Sequence, residues 1–303
     1  MKTSGAAGAL SVFIGAVSYG MPGVILSMAT KSGTKIESLI ATQFLFSFVL
    51  FFMLSEFKRN KAGIFHSRDK FIVLVTGIPV LCITYCFYKA VYYIGVPTST
   101  LLMMQSAWMA PVFNYLINKN KIKKWDIVGF VSIMVGVVTS TGVFRGEFNI
   151  NYQGFLWGVA ASISYSIVII SSSNIANGVR VIDKAKILTL GAFIASMFLF
   201  NKNIDISPIS ESSVWSVFNA IFASILPLLL YGFGMPRTDS SLAGMLVTTE
   251  LPAAFLFSYL FLSESITIDQ LAGCVIIIIT IVAPVIASKF ITKSKPSIDK
   301  SNH

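Results

Sequence analysis

Apolar residues fall in blocks of about twenty along this chain, separated by short polar or basic stretches and by prolines. A block of that length crosses about 30 Å of hydrocarbon as an α-helix. Reading breaks at polar clusters and prolines predicts about ten spans. They cover residues 7–29, 36–56, 71–93, 97–117, 124–144, 153–175, 182–200, 213–235, 240–262 and 269–289. The first block, Ala7 to Thr30, follows Lys2 and could pass for a secretory leader; it is kept as a span because an internal repeat requires it.

That repeat lies at half length. "GALSVFIGAVSYG" (Gly8 to Gly20) overlays "GFLWGVAASISYS" (Gly154 to Ser166), matching Ser18 with Ser164 and Tyr19 with Tyr165. "YYIGVPTSTLLMMQSAWMAP" (Tyr92 to Pro111) overlays "FGMPRTDSSLAGMLVTTELP" (Phe233 to Pro252), matching Met104 with Met245 and Pro111 with Pro252. Two overlays in the same order at nearly the same offset predict a duplicated unit. The expected units are residues 1–148, a first five-helix repeat, and 149–290, a second, with 291–303 as a cytoplasmic tail. Five spans is an odd number, so the second unit enters the membrane inverted. The fold class expected is an all-α polytopic membrane protein of two inverted five-helix repeats, a construction typical of secondary transporters with the substrate between the halves.

Composition agrees with this picture. The 303 residues are 55% hydrophobic and only 12% charged, about half the charged share of a soluble domain. Mean hydropathy is +0.77. Basic residues cluster after the even-numbered spans: Lys58, Arg59 and Lys61; Lys119, Lys121, Lys123 and Lys124; Arg180, Lys184 and Lys186; and the tail. The positive-inside rule then puts both termini in the cytoplasm, in the plasma (inner) membrane. Attraction to anionic headgroups accounts for the net charge of +10 and no nucleic-acid partner is needed. Cys82, Cys86 and Cys274 read as small core residues, and His66 and His303 lie outside the spans, so no metal or other cofactor is expected. No Gly-rich loop ending in Gly-Lys-Ser/Thr is present, which removes ATP as a direct energy source.

Within this frame Glu250 stands out. A carboxylate at the middle of an apolar span costs roughly 2–4 kcal/mol or more unless it meets water or a partner. It reads as a proton carrier or an anchor for a substrate amine; the plainer alternative is a hydrogen bond to a neighbouring helix. The overlay sets it opposite Met109. Tyr19, Tyr165, Gln105 and Trp108 are candidates for a substrate-binding wall, with Tyr85 and Tyr231 beside them; the small residues around them also fit close helix packing. Pro79, Pro111, Pro227 and Pro252 are candidate gating kinks, since each removes a backbone hydrogen bond and frees a carbonyl. Lys89 reads as a snorkelling residue or as an attractor of anions at the outer mouth.

The chain also resembles a known family. "FYKAVYYIGVPTSTLLMMQSAWMAPV" before a basic loop, and Glu250-Leu251-Pro252 followed by Leu262-Ser263-Glu264-Ser265-Ile266-Thr267, Gln270 and Gly273, resemble the EamA-type branch of the drug/metabolite transporter superfamily. It departs where the family often has an Arg in the second span, here Gln43, and the first half lacks the Leu-Gly-Glu element. The resemblance implies a non-enzymatic secondary transporter moving small organic metabolites, frequently amino acids or drugs and often outward. A multidrug exporter, an importer or a facilitator of the same fold stays open, as do proton coupling and oligomeric state. A membrane enzyme is disfavoured because one lone Glu is a poor catalytic set.

Overall fold

The computed structural model describes residues 2–57, 65–119, 131, 134–136, 138–139, 151–174, 179–201, 204, 211–238, 243 and 246–293. The first half supplies α1 (Lys2–Tyr19), α2 (Pro22–Lys31), α3 (Ile36–Phe57), α4 (Ser67–Met103) and α5 (Ser106–Asn118). The second supplies α6 (Tyr152–Asn174), α7 (Val181–Phe200), α8 (Glu211–Ala220), α9 (Leu226–Gly234), α10 (Glu250–Leu262) and α11 (Ile268–Lys293). Most of the expected fifth span, the unit boundary at 148, and much of the basic loops and tail lie outside the described residues. Among the described residues, four helical stretches are long and apolar enough to cross a membrane by length and composition: Ala6–Lys31, Ile36–Phe57, Ser67–Met103 and Ser213–Arg237.

The third and fourth expected spans meet inside α4, where Gly95 alone leaves helical angles, with φ 74°. A positive φ is unstrained only for glycine. The helix doubles back there. Val80 and Met103 wall the same cavity, whereas a straight helix would hold them about 35 Å apart.

Neighbour pairs fix the directions of the halves. Gly77 of α4 lies against the Gly191 and Ala192 backbone, and the Tyr85 ring is 5.1 Å from that of Phe200, so the first arm of α4 runs parallel to α7. At the bend Ile94 meets Gly154, and beyond Gly95 Leu102 meets Gly158 and the Ser162 hydroxyl donates to the Leu102 carbonyl at 2.6 Å. The second arm therefore runs parallel to α6. The first span heads toward the Gly95 end, passing Arg237 at Gly8 and reaching Val96 at Gly23. Its repeat partner α6 starts at that end and runs away from it. The two halves are inverted, as the odd span count requires.

Small residues make these crossings possible, because helices in lipid gain little from apolar burial and depend on close backbone approach. A Cβ added at Gly77 or Gly191 would enter the opposite backbone. The residues behind the family resemblance stitch the Gly95 end together. Ser258 donates to the Glu264 carboxylate. Thr267 and Gln270 cap α11 reciprocally, at 3.1 and 3.2 Å, and Gln270 Nε2 reaches Thr98 Oγ1 at 3.2 Å.

Candidate functional site

Four departures from regular helix in the described residues converge on one place. After Tyr19 the Gly20 and Met21 amides bond three residues back, to Val17 and Ser18 at 3.0 and 3.2 Å, before Pro22 opens α2. The Gln105 amide bonds to Leu102 at 3.0 Å, also three back, which separates α4 from α5. The Thr249 amide does the same to Leu246 at 3.2 Å just before α10. Between α8 and α9, Ile221–Ile225 is a turn of π-helix. Each break sets residues on the wall of a cavity of about 260 Å³: Tyr19 and Pro22, Met103, Ala223 and Ser224, and Glu250. Broken helices whose unwound backbone faces a cavity between inverted repeats are how many transporters build a binding site.

The π-turn has a cause in the sequence. In its register each amide bonds five residues back, as Leu226 does to the Ile221 carbonyl. The next donor would be residue 227, a proline with no N–H. Its orphan acceptor, the Phe222 carbonyl, receives the Ser18 hydroxyl at 3.3 Å. A side chain of the first half thus satisfies a backbone group that Pro227 frees in the second.

Glu250 is 4% exposed and opens on the cavity. No described residue hydrogen-bonds its carboxylate. Tyr19, Tyr165 and Tyr231 lie within electrostatic range of it, and of the three Tyr231 does not line the cavity. Tyr19 and Tyr165 are the pair matched by the repeat overlay, and both line the cavity with Glu250. The Tyr231 ring stacks on Tyr19 with centroids 5.9 Å apart, and its buried hydroxyl has no partner among the described residues.

The other candidates lie elsewhere. Gln105 is buried and accepts the Trp108 indole N–H at 2.6 Å, and neither lines this cavity. Tyr85 packs edge-on against Trp157, centroids 5.6 Å apart, with the Lys89 ammonium 5.4 Å from its ring centroid. Lys89 pairs with Glu37 at 3.4 Å, so it is not a free cation at a mouth. Pro79 sits within α4 at helical backbone angles, and Pro111 lies inside α5. Pro252 is in the first turn of α10, where a missing N–H costs nothing; the break precedes it, at Thr248–Thr249. Aligning the two breaks by their amide bonds sets Glu250 level with Ser106 and not with Met109.

A second polar group was only partly legible. Gln43, the residue in place of an Arg, is 2% exposed and lines the cavity with Tyr88. Gln43 Oε1 accepts from the Tyr88 hydroxyl at 3.2 Å and from Asn219 Nδ2 at 2.6 Å, and Asn219 also donates to the Tyr88 oxygen. Asn219, in α8, joins the second half to the first here. Its signal in the sequence is a lone amide within an apolar run, between Phe218 and Ala220.

Inverted repeats of membrane-spanning helices around a central cavity with one buried acid define a membrane transporter architecture. The model of the EamA-like transporter family matches the chain twice, over residues 6–142 and 152–285, one copy to each half. The chain belongs to the EamA-like transporter family, of the drug/metabolite transporter type. Among solved structures, one crystal structure superposes with a TM-score of 0.66 at 16% identity, covering 94% of this chain and 99% of that one. At that identity the likeness shows the fold alone. No curated protein matches the chain.

Proposed function

We propose that this transporter is a secondary exporter of small organic metabolites such as amino acids, working by alternating access in the plasma (inner) membrane with both termini cytoplasmic. Glu250 carries the reading: a buried carboxylate with no hydrogen-bond partner among the described residues, facing a cavity on which broken helices of both halves converge. A carboxylate kept for packing would be bonded to a neighbouring helix. One that binds a proton in one conformation and a substrate or water in the other needs an open face, which this one has. Coupling to the proton gradient follows, with the tyrosines around Glu250 supplying hydroxyls that hold a proton or a solute at the same place.

The aromatic wall, with Phe44, Phe51 and Phe87, favours a multidrug exporter as the second reading within the same mechanism. The test is uptake by proteoliposomes of a mixed pool of labelled amino acids and common metabolites, with and without an imposed pH gradient. Gradient-stimulated uptake of a defined solute supports the proton-coupled exporter. Counterflow with no response to the gradient leaves a facilitator or exchanger, and no movement of any solute overturns the reading.

A further inference from the structure

The charge on the cavity wall narrows the solute, on the premise that this cavity is the transport site proposed above. Glu250 is the one charged residue lining it among the described residues. Among the described basic side chains, Lys89 pairs with Glu37, Arg180 with Asp183, and Lys186 with the Ser55 hydroxyl at 3.0 Å, and none lines the cavity. Residues 239–242 and 244–245, which precede Glu250 and lie outside the described set, contain no Lys, Arg or His. The remaining described wall is apolar and aromatic apart from neutral hydroxyls and the Gln43 amide, whose oxygen is committed to Tyr88 and Asn219.

We propose that the cavity selects a singly charged organic ammonium ion with a one-ring apolar body and no carboxylate: an amine, amino ester or amino amide, ahead of the parent amino acid. Two observations carry it together, the buried partnerless carboxylate on the wall and the absence of any basic residue among the described lining. An ammonium group has three N–H donors. The Glu250 oxygens and the phenol oxygens of Tyr19 and Tyr165, which share the cavity wall, are the acceptors available to it. Such a pair is neutral overall, so the wall asks for no second ion. A zwitterion brings a carboxylate that must leave water with no cation among the described wall residues to meet it, close to another carboxylate, which is a heavy penalty in a medium of low dielectric. A volume of about 260 Å³ lies just under the roughly 300–1,000 Å³ of pockets for drug-sized ligands, which sets the one-ring limit.

The experiment is binding of labelled phenethylamine to the full-length protein in lipid nanodiscs, competed by phenylalanine amide, phenylalanine and 3-phenylpropionate. These four share a ring and differ in charge. The expected order places the amine and the amide together, phenylalanine about a hundredfold weaker, and phenylpropionate without effect. Glu250→Gln is expected to lose at least about tenfold in phenethylamine affinity. Tyr19→Phe, which keeps the ring stack on Tyr231 and removes one acceptor from the wall, is expected to lose several-fold and covers the case in which Glu250→Gln does not fold. Phenylalanine competing as well as the amine, binding equal in both folded variants and the native protein, or no saturable binding of phenethylamine would each overturn the inference. Phenylalanine uptake into proteoliposomes is measured alongside. Carriage of phenylalanine with no binding of phenethylamine removes the amine preference and leaves the transporter reading standing; failure of every solute in both assays removes both.

Discussion

The two helix breaks, one in each half, are alike in backbone and unlike in chemistry. At the first, Gln105 folds back on Trp108, its oxygen accepting the indole N–H while its buried side-chain nitrogen has no partner among the described residues, and it does not line the cavity. At the second, Glu250 faces the cavity with no partner among the described residues. Duplication and inversion supply two equivalent unwound points, and only one of them carries an ionisable group. The tyrosines show the opposite pattern: Tyr19 and Tyr165 are related by the repeat and converge on that one acid. The lesson is a division of labour. Symmetry places the frame and the hydroxyls, and a single asymmetric side chain provides the charge.

The comparison can be broken most severely at the contact that holds the halves in register. Gly191→Leu, facing the Leu74 and Gly77 backbone, is expected to abolish monodisperse protein in size-exclusion chromatography, because backbone would have to move. A native-like elution profile would mean that α4 and α7 do not cross this closely. Less severely, Gln105→Leu removes the Gln105 oxygen that accepts the Trp108 indole N–H; it is expected to lower stability by about 1–2 kcal/mol in a chemical unfolding curve and to leave transport rates unchanged. A transport defect at constant stability would make the first break a site as well, erasing the asymmetry.

Ser18→Ala removes the donor to the Phe222 carbonyl and is expected to cost about 1 kcal/mol. In a Pro227→Ala background the restored N–H makes that hydroxyl redundant, so the loss should shrink; an additive double-mutant cycle would contradict the account of the π-turn. Thr267→Ala sharpens the comparison at its quiet end. It removes the cap of α11, outside the cavity wall, and should cost about 0.5–1 kcal/mol in unfolding with no change in solute preference.

The frame was legible in the sequence because it rests on length, periodicity and duplication. Apolar blocks, the Gly8–Tyr19 and Gly154–Tyr165 overlay and the odd span count contain the inverted architecture. Gathering Tyr19, Tyr165 and Glu250 needed only that each lie near the middle of its span. Tyr85, Trp108 and Gln105 were equally plausible by that criterion and fall elsewhere, because which face of a membrane helix looks inward is set by packing that composition does not encode. The prolines teach the same point. Pro227 acts through a π-turn and a hydroxyl more than two hundred positions away, and Pro252 stands just after the bend that the sequence assigned to it. The Gln43–Tyr88–Asn219 group draws on three helices, so no local pattern announces it.

The central claim is that Glu250 opens on the shared cavity and does not bind helices together. Its most direct test is labelling of the native protein in membranes with dicyclohexylcarbodiimide, an apolar reagent that adds to protonated carboxyls, followed by peptide mass spectrometry. The account predicts a single modification within the spans, on Glu250, which slows as pH rises through deprotonation and is absent in Glu250→Gln. Native protein that stays unlabelled at Glu250 across the pH range, while unfolded protein is labelled there, would contradict it.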